Sequence, residues 1–147
     1  MEDTKFVDEN RRKLTHDESV ALLQRPVAGV LSTLTRDGWI HSAPVHFLYA
    51  DNEVRILAGM RAVKVRNAIR TGQATLCVEV TDGPVRSFVT VCGAVTLRQP
   101  PAHEDLIALD QKYGRDDFAS GWDEAAFADA VIMILRTDRW IAWSDWD

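Results

Sequence analysis

The chain has 147 residues and a formal net charge of −5, with 46% hydrophobic and 27% charged residues. These values are ordinary for one folded domain and exclude a disordered or fibrous chain. The acidic excess argues against a broadly basic surface, so we expect no nucleic-acid partner. Five residues are Trp, and Trp140, Trp143 and Trp146 all lie in the last eight positions.

The beginning of the chain predicts a flexible N-terminal arm over residues 1–14, ahead of a single domain over residues 15–147. The arm is charged and has no apolar signal-peptide core, and no run approaches the roughly 18 apolar residues of a membrane span. Cys77 and Cys92 lie in apolar runs without Cys-x-x-Cys spacing, which favours small buried side chains in strands. We therefore expect a reduced cytoplasmic protein with no membrane partner.

A capping-box pattern predicts the first helix, with Thr15 as the N-cap and Glu18 three residues later. The helix ends near Gln24, because Arg25 precedes Pro26 and is disfavoured in the helical region.

Apolar, β-branched runs separated by turn sequences predict an antiparallel series of strands. The turns include Asp37-Gly38, Asp51-Asn52 and Asp82-Gly83. The predicted strands are residues 27–35, 39–50, 53–58, 74–81, 86–97, 131–135 and 140–143. Because consecutive strands are joined by hairpins, the fold class is mainly β with peripheral helices (α+β), an antiparallel barrel of six or seven strands.

Three further helices are predicted. Residues 62–71 have one apolar face and end at Gly72, the residue type that favours a helix C-terminus. A longer helix runs from residue 100 to about residue 113. A short one is capped by Ser120 and continues to residue 130.

Most motifs that carry chemistry are missing from the sequence. It has no Gly-x-Ser-x-Gly nucleophile motif and no phosphate-binding loop. Its four His are scattered and predict no metal site. The acidic pair Asp116-Asp117 is interpreted as part of a polar loop.

One basic segment follows the strand over residues 53–58 and begins the helix over residues 62–71. Arg61 and Lys64 are three residues apart, which places them on one side of a helix, and Gly59 permits close backbone approach. Free N–H groups and the dipole at a helix start favour an anion. The segment predicts either a phosphate site or an ordinary solvated cationic face.

The order of these segments resembles pyridoxamine 5′-phosphate oxidase-like split β-barrel proteins. Residues 29–45 resemble the opening hairpin of that family, and Lys64-Val65-Arg66-Asn67 resembles its strand-to-helix phosphate element. Residues 89–95 and 137–143 are similar to later strands, so the resemblance covers nearly the whole chain. The length and the aromatic closing strand resemble the flavin/deazaflavin oxidoreductase branch most.

The resemblance implies a homodimer with two cofactor sites at the subunit interface. It also implies FMN or the deazaflavin coenzyme F-420 as the cofactor, and hydride transfer to or from a small conjugated substrate. The alternative is a non-catalytic protein that carries FMN, haem or a deazaflavin. The residues that match the family's cofactor site are Pro44, Val45, His46, Leu57, Ala58, Gly59, Arg61 and Lys64.

Several positions bear on the chemistry. His46 is the candidate proton donor, because the ordinary pKa of His suits proton transfer near neutral pH; the alternative is a packed or backbone-bonded His. Trp143 or Trp140 is expected either to line the partner's pocket or to pack in the dimer. True pyridoxamine 5′-phosphate oxidases carry an Arg near Ala43 and a Lys near Leu48, and this chain has neither.

Overall fold

A computed structural model of the protein describes residues 11–121, 123 and 125–145. Within these residues the elements are β1 (Arg11–Lys13), α1 (His16–Leu23), β2 (Gly29–Leu34), β3 (Ile40–Val45), β4 (Leu48–Ala50), β5 (Glu53–Gly59), α2 (Val63–Thr71), β6 (Gln73–Asp82), β7 (Val85–Arg98), α3 (His103–Tyr113), α4 (Asp117–Ser120), β8 (Ala130–Arg136) and β9 (Arg139–Asp145). No helix in this part of the chain combines the length and the apolar character needed to cross a membrane.

Strand β7 joins the two halves of the sheet. It has 14 residues; its residues 87–92 pair with β9, and its residues 95–98 pair with β8. The strand order is β3-β2-β6-β7-β8-β5-β4, with β9 pairing both β7 and β1, and all pairs are antiparallel. The predicted fold class, a mainly antiparallel split barrel with peripheral helices, is confirmed.

The core lies on the inner face of this sheet. Leu31, Leu76 and Val91 lie opposite one another on β2, β6 and β7, and all are buried. Their neighbours along each strand point outward, as the two-residue period of a strand requires. Helix α2 packs through the buried residues Val65 and Ala68.

Gly93 marks the point where β7 exchanges one partner strand for another. A Cβ atom there would lie 2.0 Å from the carbonyl oxygen of Arg136 and 2.7 Å from Oδ2 of Asp138. The backbone N–H of Asp138 donates to the carbonyl of Cys92 at 3.1 Å, and the Asp138 carboxylate accepts from the N–H of Ala94 at 3.3 Å. The β8–β9 turn therefore approaches β7 closely enough that only glycine fits.

The predicted capping box is confirmed. The N–H of Glu18 donates to Oγ1 of Thr15, and the N–H of Thr15 donates to the Glu18 carboxylate. Arg12 also donates two hydrogen bonds of 2.9 Å to that carboxylate. The bonds from Arg12 and Thr15 lower the pKa of Glu18 to about 2. The prediction of a flexible arm is wrong for residues 11–13, because they form β1 and pair with β9. Residues 1–10 lie outside the described part of the chain.

Several predicted elements differ from those observed. The described residues form nine strands rather than six or seven. The strand predicted over 39–50 is two strands, β3 and β4, with residues 46 and 47 between them. Ser120 ends α4 instead of capping a helix to residue 130; residues 125–129 form turns, and residues 122 and 124 lie outside the description. Cys77 and Cys92 lie in strands as predicted, but both are half-buried.

Replacing Gly93 with Ala is expected to destabilise the fold, because a backbone oxygen occupies the space of the new methyl group. We expect a loss of about 1–3 kcal/mol in the free energy of unfolding, measured by urea denaturation. Gly59→Ala is the matched control, since a Cβ at Gly59 meets no atom within 4 Å. Equal stability of the two variants would contradict the close approach of the strands.

Candidate functional site

A cavity of about 400 Å³ opens where the ends of β3 and α3 meet β5 and the start of α2. This volume lies in the range of small-molecule sites. The lining residues are Ala28, Pro44, Val45, His46, Leu57, Lys64, Leu109, Arg115 and Phe118. Five residues that the sequence predicts for cofactor binding are therefore brought together: Pro44, Val45, His46, Leu57 and Lys64.

Four predicted residues do not line this cavity. Ala58 is buried in the core, and Gly59 is exposed at the end of β5. Arg61 is exposed in the turn before α2. Trp143 lies on β9 opposite Phe88. The two-residue period of a strand explains why Leu57 lines the cavity and Ala58 does not, because the two side chains point to opposite faces of β5.

Trp140 and Trp143 lie on opposite faces of β9. The Trp140 ring packs edge-on against Tyr49 at 5.8 Å and against His16 at 4.9 Å, between ring centroids. Its Nε1 donates to the carbonyl of Thr137. Trp140 therefore packs against side chains of its own chain, and its expected place at a partner's pocket stays a prediction. Trp146 lies outside the described residues.

Helix α2 presents Lys64 to the cavity in its first turn. The buried Asn67 donates a hydrogen bond of 3.1 Å to Oγ1 of Thr33 on β2, which fixes the helix against the sheet. The N-cap residue Ala62 has no side-chain acceptor, and the first turn contains no acidic residue. In the described part of the chain, Lys64 takes part in no side-chain hydrogen bond or ion pair. This helix start therefore has uncompensated positive charge, which suits an anion.

The last turn of α3 holds the link between β3 and β4. Lys112 Nζ donates to the carbonyls of Phe47 and Leu23, both at 2.8 Å, and lies 3.7 Å from the centroid of the Phe47 ring. The Tyr113 hydroxyl accepts from the N–H of Phe47 and donates to the carbonyl of Val27, both at 3.0 Å. The backbone of Phe47 thus bonds to side chains of α3, which explains why the predicted strand is interrupted here.

His46 takes its orientation from this clamp of Lys112 and Tyr113 on Phe47. Its imidazole stacks on the Tyr113 ring, with centroids 3.9 Å apart and an interplanar angle of 11°. Partial desolvation, followed by the charges of Arg115 and Lys112, lowers the pKa of His46. The neutral imidazole is therefore favoured at pH 7, which weakens the case for His46 as a stored proton donor.

Burial shifts the pKa of both side chains of the clamp. Burial lowers the pKa of Lys112 to about 8. Burial also raises the pKa of Tyr113, so the phenol stays protonated and able to donate. Since partial burial of an ammonium group disfavours its charge, the two carbonyl acceptors and the Phe47 ring compensate for lost hydration.

Arg115 forms a further wall of the cavity just after α3. Its guanidinium carbon lies 4.3 Å from the centroid of the Phe118 ring. Its Nε lies 3.7 Å from Oδ1 of the buried Asp110. The Asp110 carboxylate itself accepts hydrogen bonds from the N–H groups of Phe118 and Ala119, at 3.3 and 2.7 Å, which begins α4.

Sequence reasoning missed Lys112, Tyr113, Arg115 and Phe118. Lys112 and Tyr113 bond to backbone groups that are 65 to 89 residues away along the chain. No local spacing indicates such partners, and a basic or aromatic residue at a helix end is unremarkable in sequence. The described residues also contain no group of three or more His, Cys, Asp or Glu arranged to hold a metal ion.

Comparison with known proteins points to one family. The family model for pyridoxamine 5′-phosphate oxidase matches residues 15–144. No curated protein matches the sequence significantly.

Several solved structures are similar in fold. A conserved hypothetical protein from Mycobacterium tuberculosis has a TM-score of 0.76 and 18% identity, covering 88% of this chain and 84% of its own. An F-420 reductase has a TM-score of 0.69 and 24% identity, covering 82% and 93%. An FAD-binding protein from Mesorhizobium loti has a TM-score of 0.70 and 16% identity, covering 91% and 97%. These identities establish a shared fold.

The imidazole of His46 is expected to titrate below pH 6.5, and Arg115→Gln is expected to raise its midpoint by removing a nearby positive charge. A lowered pKa means that this group's contribution to stability is present above the unfolded value and is lost as the pH falls below about 6.5. NMR titration, assigned with His46→Gln, measures the midpoint. Arg36→Gln, in the exposed β2–β3 turn, is the control. An identical midpoint in Arg115→Gln would contradict the assignment.

Proposed function

The chain belongs to the pyridoxamine 5′-phosphate oxidase family, and on that premise we propose that it is an oxidoreductase that uses FMN or the deazaflavin coenzyme F-420. The observation that carries the proposal is the cavity itself. Its lining is mainly apolar, and Lys64 lies in it at a helix start with no charge partner among the described residues. A flat ring with a phosphate-bearing side chain has the matching chemistry, because the ring needs apolar walls and the phosphate needs a cation.

Different residues of the chain bind the phosphate and the ring of such a cofactor. Lys64 and the start of α2 bind the phosphate, as the family resemblance implies. Pro44, Val45 and Leu57 form apolar walls for the ring and exclude water from it. When bound, the cofactor supplies hydride transfer, and the protein supplies orientation and a dry site.

The uncharged imidazole of His46 forms part of the cavity lining. Its stacking on Tyr113 leaves one ring face for the cavity, and the lowered pKa keeps the ring uncharged at neutral pH. A neutral imidazole donates a hydrogen bond but holds no proton in excess. We therefore infer that water supplies the proton that a reduced substrate needs. His46 helps to orient the bound ligand.

The substrate is expected to be a small conjugated molecule other than pyridoxine phosphate. By the family resemblance, the true oxidases carry an Arg near Ala43 and a Lys near Leu48, and here both positions are apolar. Ala43 lies on β3 and Leu48 on β4, on either side of the clamped link.

Titration of the apoprotein with FMN, coenzyme F-420 and haem, each in parallel, tests the proposal. We expect FMN or F-420 to bind, with binding measured by Trp fluorescence. Lys64→Ala is expected to lower the FMN affinity by about tenfold or more, since one charge-assisted hydrogen bond contributes about 1.5–3 kcal/mol. Riboflavin, which lacks the phosphate, is expected to bind Lys64→Ala and the native protein equally. Arg36→Ala, which removes an exposed cation from the β2–β3 turn, is the control.

The results of this titration separate the alternatives. Failure of the native protein to bind either flavin or deazaflavin would contradict the proposal. Binding of haem alone would favour the carrier alternative. Equal FMN affinity of Lys64→Ala and the native protein would remove Lys64 from the phosphate site.

A second copy of the chain is proposed to cover the outer face of the sheet. Pro44, Val30, Cys77, Thr90 and Ile141 lie opposite one another across five strands. This row contains no charge, and Val30 and Ile141 are 43% and 53% exposed. Pro44 belongs to both the row and the cavity, so a partner seated on the row adjoins the cavity. These features support the homodimer that the family resemblance implies.

Thr90→Arg is expected to convert the dimer to a monomer, because it places a charge at the middle of the uncharged row. Sedimentation equilibrium measures the mass. Gln111→Arg, on the exposed side of α3, is the control and is expected to remain dimeric. A monomeric native protein, or a dimeric Thr90→Arg variant, would contradict the proposed interface.

A further inference from the structure

We propose that Arg115 forms a second anion subsite in the cavity, separate from Lys64, that binds a carboxylate or phosphate group. The inference rests on the proposed function, because it assigns the chemistry of a further ligand group in the same cavity. Arg115 follows α3, whereas Lys64 begins α2. The two cations therefore reach the cavity from different parts of the fold.

The guanidinium of Arg115 is incompletely paired. Its Nε is buried and has no hydrogen-bond partner among the described residues. Asp110 Oδ1 is 3.7 Å away, beyond hydrogen-bond distance, and the Asp110 carboxylate is already bonded to the N–H groups of Phe118 and Ala119. A buried donor without an acceptor costs free energy. Asp110 therefore compensates the charge of Arg115 only in part, and an oxyanion in the cavity would provide acceptors for the other guanidinium N–H groups.

The guanidinium is also held in place before a ligand arrives. It lies over the Phe118 ring at 4.3 Å and near the Tyr113 ring at 5.7 Å. The Arg115 side chain retains only 25% exposure. A planar fork fixed in this way suits the two oxygens of a carboxylate or phosphate, because less side-chain entropy is lost on binding.

The charge of Arg115 reaches the cavity wall. It is one of the two cations that lower the pKa of the neighbouring His46. Apart from Arg115, His46 and Lys64, the side chains that line the cavity are apolar. A ligand for this cavity therefore needs an apolar body with an oxyanion at Arg115. That oxyanion belongs either to the cofactor's own phosphate or to an acidic substrate bound beside the cofactor.

Four probes separate these two sources. FMN and riboflavin differ in the phosphate, and benzoate and benzamide differ in the carboxylate. Each is titrated by calorimetry into the native protein, Arg115→Gln and Arg115→Lys, and benzoate and benzamide are also titrated into the FMN-loaded forms. Arg36→Gln is the control for removal of a surface charge.

Two results support the subsite. If the oxyanion is the cofactor's phosphate, Arg115→Gln loses about tenfold or more in FMN affinity and none in riboflavin affinity. If it belongs to a substrate, Arg115→Gln retains FMN affinity but loses the preference for benzoate over benzamide. In either case Arg115→Lys, which keeps the charge but not the planar fork, retains part of the effect.

The inference is overturned if Arg115→Gln changes neither FMN affinity nor the preference for benzoate, or if Arg36→Gln loses as much. Should Arg115→Gln fail to fold, Arg115→Lys decides, because an FMN affinity and a benzoate preference that are both unchanged at an unchanged Tm remove the subsite. If the native protein binds no flavin or deazaflavin, the proposed function fails while the benzoate comparison on the apoprotein still tests Arg115.

Discussion

The peptide groups of Phe47 are the point on which the cavity depends. They are withdrawn from the sheet, and buried backbone groups without partners are costly. The last turn of α3 supplies those partners, with Lys112 bonding the carbonyl and Tyr113 the N–H. The same two side chains bond the carbonyls of Leu23 and Val27. One helix end thus ties α1, the start of β2 and the β3–β4 link together.

The two ends of α3 differ in how completely their charges are paired. At the other end of α3, the buried Asp105 bonds Arg98 at 2.8 Å and lies 3.7 Å from Arg55, so those charges are paired. Near the cavity the pairing is incomplete, because Asp110 is used to begin α4. An acidic chain with a net charge of −5 therefore carries a locally positive cavity, where Lys64 and Arg115 are available to an anion.

The parts predicted well are those that local chemistry decides. The capping box of Thr15 and Glu18 and the end of α2 at Gly72, which has a φ of 73°, involve residues close in sequence. Lys64 and the apolar residues Pro44, Val45 and Leu57 were placed by the family resemblance, and they line one cavity. Ala58 lies in the core and does not line that cavity, because it alternates with Leu57 along the strand, and neither spacing nor resemblance separates the two faces.

By itself, the sequence determined the order of strands and helices, the turns between most of them and the family, since these follow from residue types that act over a few positions. The tertiary structure alone decided the break between β3 and β4, the crossing at Gly93 and the contribution of α3 to the cavity. Each of these depends on contacts between distant segments. The Phe47 peptide leaves the sheet only because Lys112 and Tyr113 reach it, and Gly93 is required only because the β8–β9 turn lies against it.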